Sequence, residues 1–150
     1  MRCHPAFQGV DIPKSALLGP YRLEVLGPEA VEEDYAAVME SKDRLRGLMG
    51  GDWPAGLTLE ENGIDLAWHL KEFLMKRSFA WIVRDEAASY IGCLYVFPRF
   101  MEQAADVWVW ARSSLDAVAH EAAIAGDVGE WLAGPNWPDL AYRLNYPGAR

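Results

Sequence analysis

Residues 79–97 read FAWIVRDEAASYIGCLYVF, and this stretch decides the fold. Two runs rich in β-branched and aromatic residues, 79–84 and 90–97, flank a short polar turn, a pattern that predicts a β-hairpin. In the first run both alternating sets of side chains are apolar. A sheet that is apolar on both faces is covered on both sides, so we expect helices above and below it.

Further elements extend outward from this hairpin. Val107 to Ala111 has the period of a strand, and the segment from Ser113 or Ser114 to about Ala133 has the small residues of a helix that packs closely on a sheet. We therefore expect a layered α/β (α+β) fold: one domain over residues 1–150, with a twisted mixed sheet of about five or six strands flanked by helices. The other predicted elements are an extended lead-in at 1–20, a strand at 21–26, helices at 28–46 and 58–77, and a short strand at 140–144.

Composition narrows the classes of function. The chain has 14 Lys+Arg against 22 Asp+Glu, a net charge of −8, and no basic stripe, so nucleic acid is an unexpected partner. Its apolar runs are shorter than the roughly 20 residues of a membrane span, and its first residues lack the apolar block of a secretory signal. Cys3 and Cys93 lie far apart, without metal-ligand spacing. We expect a cytoplasmic, reduced protein without metal or membrane.

The order of elements resembles the GNAT superfamily of acyl-CoA-dependent N-acyltransferases, and the local motifs resemble a bacterial branch of it with a degenerate phosphate loop. The likeness spans about Tyr21 to Tyr146. The motifs that carry it are YRLEVLGPE at 21–29, DYAA at 34–37, LEEN at 59–62 and YIGCLYVFP at 90–98.

This resemblance implies that the sheet splays open between the strands at 107–111 and 140–144. Acetyl-CoA would lie in that cleft, with its pantetheine pairing along Val109, Trp110 and Ala111. Its pyrophosphate would sit at the start of the next helix, where free amides attract anions. An amine of a small molecule or peptide would enter past the loop at 48–58.

The resemblance also implies roles for single residues. Arg112 matches the first position of the superfamily's phosphate loop, and the Ser113 and Ser114 hydroxyls can help to hold a phosphate. Asn145 matches an asparagine that faces the cofactor. Tyr146 is the candidate acid for the leaving thiolate, although a plain packing role near the C-terminus is the favoured alternative.

Two departures from the superfamily pattern favour a different reading. Leu115 stands where the first glycine exposes the backbone to phosphate, and Asp116 adds a negative charge beside the expected phosphates; Ser113 with Asp116 can form an ordinary capping box instead. The chain also ends soon after the strand at 140–144, so the fold is expected to be shortened at its C-terminus.

The remaining candidates each have a structural alternative. Trp108 can floor a ligand cleft or fill the core, and Trp53 can wall the acceptor pocket or anchor its own loop. His69 and His120 are expected at the surface. No Ser-His-Asp, Cys-His or metal-binding set is present in the sequence.

Two functions therefore stay open. The first is acetyl transfer from acetyl-CoA to a primary amine. The second is a non-catalytic module of the same fold that binds a ligand or a protein and has lost CoA binding. A homodimer is compatible with either function.

Overall fold

A six-stranded mixed sheet runs through the computed structural model, which describes residues 2–149. The strands lie in chain order, each antiparallel to its neighbour except the last two, which are parallel. They are β1 (Ser15–Leu18), β2 (Tyr21–Val25), β3 (Phe79–Arg84), β4 (Tyr90–Arg99), β5 (Ala104–Ala111) and β6 (Ala141–Asn145). The helices are α1 (Val31–Glu40), α2 (Lys42–Leu45), α3 (Leu59–Leu74) and α4 (Ala117–Leu132), with 3-10 turns at Pro5–Phe7, Pro28–Ala30 and Pro147–Ala149.

Helices cover both faces of the sheet, as the apolar strands predict. On one face, Ile124 and Val128 of α4 pack with Trp81 of β3. On the other face, Val38 of α1 and Leu66 of α3 pack in a second buried cluster. Within residues 2–149, no helix is both long enough and apolar enough to cross a bilayer.

The sheet has one strand that the sequence analysis does not predict. Residues 15–18, inside the expected lead-in, pair antiparallel with β2 through a tight turn at Gly19 and Pro20. Gly19 has a φ of +58°, a left-handed conformation that favours glycine. The four-residue strand is too short for its alternation to stand out from the surrounding proline and glycine.

The parallel pair leaves a wedge at one end of β5. β6 pairs with β5 from Ala104–Ala141 to Trp108–Asn145. β5 continues through Val109, Trp110 and Ala111, and the register gives these three residues no partner in β6. All five residues of β6 are paired, so the two strands do not splay apart as expected; the wedge is the space beside Val109, Trp110 and Ala111, past the end of β6.

Candidate functional site

The junction between β5 and α4 is bound by the end of α1. The Ser113 amide donates to the Ser41 hydroxyl at 3.0 Å, and the Ser114 amide donates to Oε2 of Glu40 at 3.0 Å. Arg112 donates to Oε1 of the same carboxylate, at 2.8 Å from Nε and through a second guanidinium nitrogen. The junction that would hold a cofactor's phosphates thus already holds a carboxylate of the chain itself.

Glu40 is ionised in this setting. Burial raises the pKa of its carboxyl, but the hydrogen bonds from Arg112 and Ser114 outweigh burial, so its pKa is lowered overall. An anion at amides that precede a helix, beside a guanidinium, is the arrangement that also binds phosphate. Glu40 therefore occupies the junction as a charged group.

The start of α4 differs from the prediction. The helix begins at Ala117 and its N-cap is Asp116, whose Oδ1 accepts from the Ala119 amide at 3.5 Å. The predicted helix start at Ser113 or Ser114, with a Ser113 capping box, is wrong, because those two amides are used by α1 and the chain turns once more before the helix. In that turn the Leu115 amide donates to the Arg112 carbonyl at 3.2 Å.

A second carboxylate, Glu121 of α4, fills the wedge beside β5. It is fully buried and accepts from the Ala111 amide at 3.0 Å and from the Gly148 amide at 3.2 Å. Arg44 of α2 donates to both of its oxygens, at 2.7 and 2.8 Å, and to the Ala111 carbonyl at 3.1 Å. Both backbone groups of Ala111 that face the wedge therefore have partners within the chain.

The other residues predicted for the cofactor side lie along the same two strands. Val109 and Trp110 are fully buried, and the Trp110 indole donates to the Tyr95 hydroxyl at 3.0 Å. The Asn145 side chain donates to the carbonyl of Arg143 at 2.9 Å. Tyr146 packs against the α4 side of the core. The structure thus brings residues 109–114 together at the wedge, while their roles toward a cofactor stay predictions.

A separate cavity of about 260 Å³ lies on the opposite face, between α1, α3, β4 and the loop before α3. Trp53, predicted at the acceptor pocket, lines this cavity. Trp108 does not line it and packs half-buried against the second buried cluster, the one that contains Val38 and Leu66. The aromatic rings that line the cavity are Trp53, Trp68, His69, Tyr95 and Phe97.

A buried carboxylate forms part of the cavity's lining. Asp34 of α1 accepts from the Tyr90 hydroxyl and from the Asn62 amide, the latter at 2.9 Å. Burial raises the pKa of Asp34, and the hydrogen bonds from Tyr90, Asn62 and Cys93 oppose that rise. Asp65 of α3 stands on the same lining, and burial together with the charges of Glu61 and Asp34 raises its pKa.

His69 does not lie on the surface as expected. It is partly buried against the cavity, with its ring 5.4 Å from that of Tyr95 and 5.1 Å from that of Trp68. Burial lowers the pKa of His69 to about 4, so the imidazole is neutral at pH 7.

The residue types of His120 and Glu121 predict a solvated pair on the helix, but Glu121 is fully buried; the sequence holds a signal for its burial and for that of Asp34. Glu121 lies four residues after Ala117 and three before Ile124, which are both buried, so it stands within the buried stripe of α4. Asp34 stands four residues before the buried Val38 of α1 in the same way. A carboxylate within an apolar stripe is rarely buried unless it is paired, and it therefore indicates a network.

Comparison with known proteins supports the fold. No family model and no curated protein sequence matches the chain. Among solved structures, RimL, a ribosomal L7/L12 alpha-N-protein acetyltransferase in complex with coenzyme A, superposes with a TM-score of 0.66 at 16% identity, covering 84% of this chain and 70% of that one.

Two further structures give the same result. The ribosomal-protein-S5-alanine acetyltransferase from Vibrio fischeri has a TM-score of 0.61 at 17% identity over 81% of this chain and 67% of that one. The microcin C7 self-immunity acetyltransferase MccE, in complex with acetyl-CoA and AMP, has a TM-score of 0.65 at 9% identity over 81% and 68%. The predicted GNAT-like fold is confirmed.

Coenzyme A does not fit the junction as the described residues are arranged. Its pyrophosphate would need the amides that Glu40 and Ser41 bind, and its pantetheine would need the Ala111 groups that Glu121 and Arg44 bind. A phosphate beside Glu40 and Asp116 would also meet two like charges.

Proposed function

We propose that this chain is a GNAT-fold binding protein that takes a small amine in the cavity between α1, α3 and β4, without acyl-CoA. The observation that carries the proposal is the double occupation of the cofactor side by Glu121 in the wedge and Glu40 at the junction. Neither carboxylate lines the cavity, which is left accessible.

The energetics favour this assignment over cofactor binding. Glu121 and Arg44 form a bidentate pair in which Glu121 is fully buried. Removing one partner of such a pair costs roughly 3–5 kcal/mol, which a ligand that displaces it would have to offset. A cofactor in the wedge would also separate Glu121 from the Gly148 amide.

Acetyl transfer to a primary amine of a small molecule or peptide is the second candidate. It is favoured by the fold, by the wedge beyond Trp108 and by structural neighbours that are acetyltransferases in complex with coenzyme A or acetyl-CoA. Either candidate is proposed for a single domain in a reducing, cytoplasmic setting, in keeping with the free thiols of Cys3 and Cys93.

Isothermal titration of the full chain with acetyl-CoA separates the two candidates. We expect no saturable heat with millimolar acetyl-CoA and no acetylated product when a panel of primary amines is added. Saturable binding together with acetylated product would establish the transferase and contradict the binding protein.

A matched pair of variants tests whether the internal carboxylate is the obstacle. Glu40→Ala combined with Ser41→Ala frees the Ser113 and Ser114 amides, and we expect detectable affinity for pyrophosphate. Glu32→Ala removes an exposed carboxylate from the same helix and should leave the protein without such affinity. Equal responses of the two variants would mean that Glu40 does not block the junction.

A further inference from the structure

The cavity between α1, α3 and β4 combines aromatic walls with negative charge. Trp53, Trp68, Tyr95 and Phe97 contribute rings, and none of its lining residues is a lysine or an arginine. Aromatic faces attract cations through their quadrupole, by about 0.5–1 kcal/mol when exposed and about 2 kcal/mol or more when desolvated. The cavity is therefore suited to a positively charged ligand.

The charged side chains of the lining also favour a positively charged ligand. Asp34 and Asp65 lie close enough to interact electrostatically. After burial, the charge of Asp34 is one of the causes that raise the pKa of Asp65. Asp65 has no hydrogen-bond partner among the described residues, in contrast to Asp34. His69 is neutral at pH 7 and adds no repulsion.

The hydrogen-bonding groups at the floor are already engaged with one another. One oxygen of Asp34 accepts from Tyr90, the other accepts from Asn62, and the Tyr95 hydroxyl accepts from the Trp110 indole. A primary ammonium brings three N–H donors, and among the described residues Asp65 is the one carboxylate of the lining without a hydrogen-bond partner to receive them; donors left unpaired in a buried site are costly. A methylated ammonium brings charge and an apolar surface with few donors or none.

The size of the cavity restricts the ligand further. Its volume of about 260 Å³ is below the roughly 300–1,000 Å³ of sites for drug-sized ligands. A headgroup or the end of a side chain fills such a space. From these observations we infer that the cavity binds a tertiary or quaternary methylated ammonium group, held by the faces of Trp53 and Trp68 and the charges of Asp34 and Asp65.

This inference rests on the proposed function only in using the same cavity, and calorimetry of the full chain tests it. The probes are choline, its neutral isostere 3,3-dimethylbutan-1-ol and the primary amine ethanolamine. We expect choline to bind at least tenfold more tightly than either of the others. Equal binding of the neutral isostere would overturn recognition of charge, and equal binding of ethanolamine would overturn the preference for methylated groups.

Variants at the rim connect binding to the cavity. Trp68 is 45% exposed on α3, so its replacement leaves the core intact. We expect Trp68→Leu to weaken choline binding at least fivefold and Trp68→Phe, which keeps a ring face, to restore most of it. Asp65→Asn should weaken binding, whereas Glu60→Gln, an exposed carboxylate of the same helix outside the cavity, should not. Choline binding that is insensitive to Trp68→Leu would overturn the assignment.

The outcomes also separate this inference from the proposed function. If choline fails to bind while another amine binds in a manner that depends on Trp68, the methylated class is wrong and the binding protein stands. If acetyl-CoA binds and is turned over, the proposed function is wrong whatever the result with choline.

Discussion

Asp34 of α1 is a buried carboxylate that also lines the cavity. It lies on the buried stripe of α1, where an apolar side chain would be ordinary, and it accepts from Tyr90 and Asn62 instead. Burial of a carboxylate costs free energy unless its charge is compensated, and here the compensation comes from neutral donors alone. Asp34 therefore weakens the fold at neutral pH while it supplies charge to the cavity.

Replacing Asp34 by asparagine should make this cost visible as a pH dependence. The pKa of Asp34 is raised in the folded state above the unfolded value of about 3.9, so its contribution to stability is present below that value and is lost as pH rises through the folded pKa. We expect Asp34→Asn to gain unfolding free energy relative to the wild type between pH 4 and pH 7.

Urea denaturation at the two pH values measures this gain. The surface variant Asp43→Asn on α2 serves as the control for the loss of one carboxylate. A decrease in the relative stability of Asp34→Asn as pH rises would contradict the assigned direction of the shift.

At the scale of elements, the contact between β4 and β5 depends on one glycine. A Cβ on Gly92 would stand 1.8 Å from the Trp110 carbonyl oxygen and 2.8 Å from the Ala111 Cα, and both are backbone atoms. The two strands therefore approach each other here as only glycine allows, beside the wedge.

Gly92→Ala should consequently push β5 away from β4. We expect a loss of about 3 kcal/mol in unfolding free energy, at the upper end for overpacking because backbone cannot move aside as a side chain can. Gly126→Ala in α4 is the matched control, since its Cβ meets nothing within 4 Å, and it should gain about 0.5–1 kcal/mol. Equal effects of the two changes in chemical denaturation would refute the close approach.

The strand β3 and the start of α4 show which features can be predicted from sequence and which cannot. The sequence predicts the strand at 79–84 with its observed bounds, because two apolar faces followed by a polar turn fit the period of a strand. The sequence predicts the start of α4 too early, because Ser113 and Ser114 have the residue types of helix caps but bind residues more than 70 positions away. Local propensity holds no information about such a remote partner.

For the molecule as a whole, the pair of Arg44 and Glu121 joins parts that are distant along the chain. It connects α2, α4, the end of β5 and the turn at Gly148. The buried stripe of α4 could have predicted that Glu121 needs a partner. That the partner is Arg44, 77 residues away, follows only from how the helices pack.

Breaking this pair should destabilise the whole fold. Arg44→Leu leaves Glu121 buried without its cation, and we expect a loss of about 3 kcal/mol, the lower end for a buried pair because Arg44 is 25% exposed. The double variant with Glu121→Leu should recover part of this loss, because no charge then remains buried.

The matched control is Arg143→Leu, which removes an arginine from the exposed pair with Glu102. Solvent screens an exposed pair, so the effect of Arg143→Leu in urea denaturation should be much smaller. Comparable losses of unfolding free energy for Arg44→Leu and Arg143→Leu would show that the pair of Arg44 and Glu121 does not stabilise the fold more than an exposed pair does.

The exposure of Trp68 at the cavity should affect the protein's intrinsic fluorescence. The chain has seven tryptophans, and Trp68, at the cavity, is the one whose side chain is exposed. Its indole is therefore the most hydrated of the seven. We expect it to emit at a longer wavelength than the other six, which are buried or half-buried. The red edge of the intrinsic fluorescence spectrum thus belongs to the cavity, and the protein carries its own unlabelled reporter of whether that space is filled.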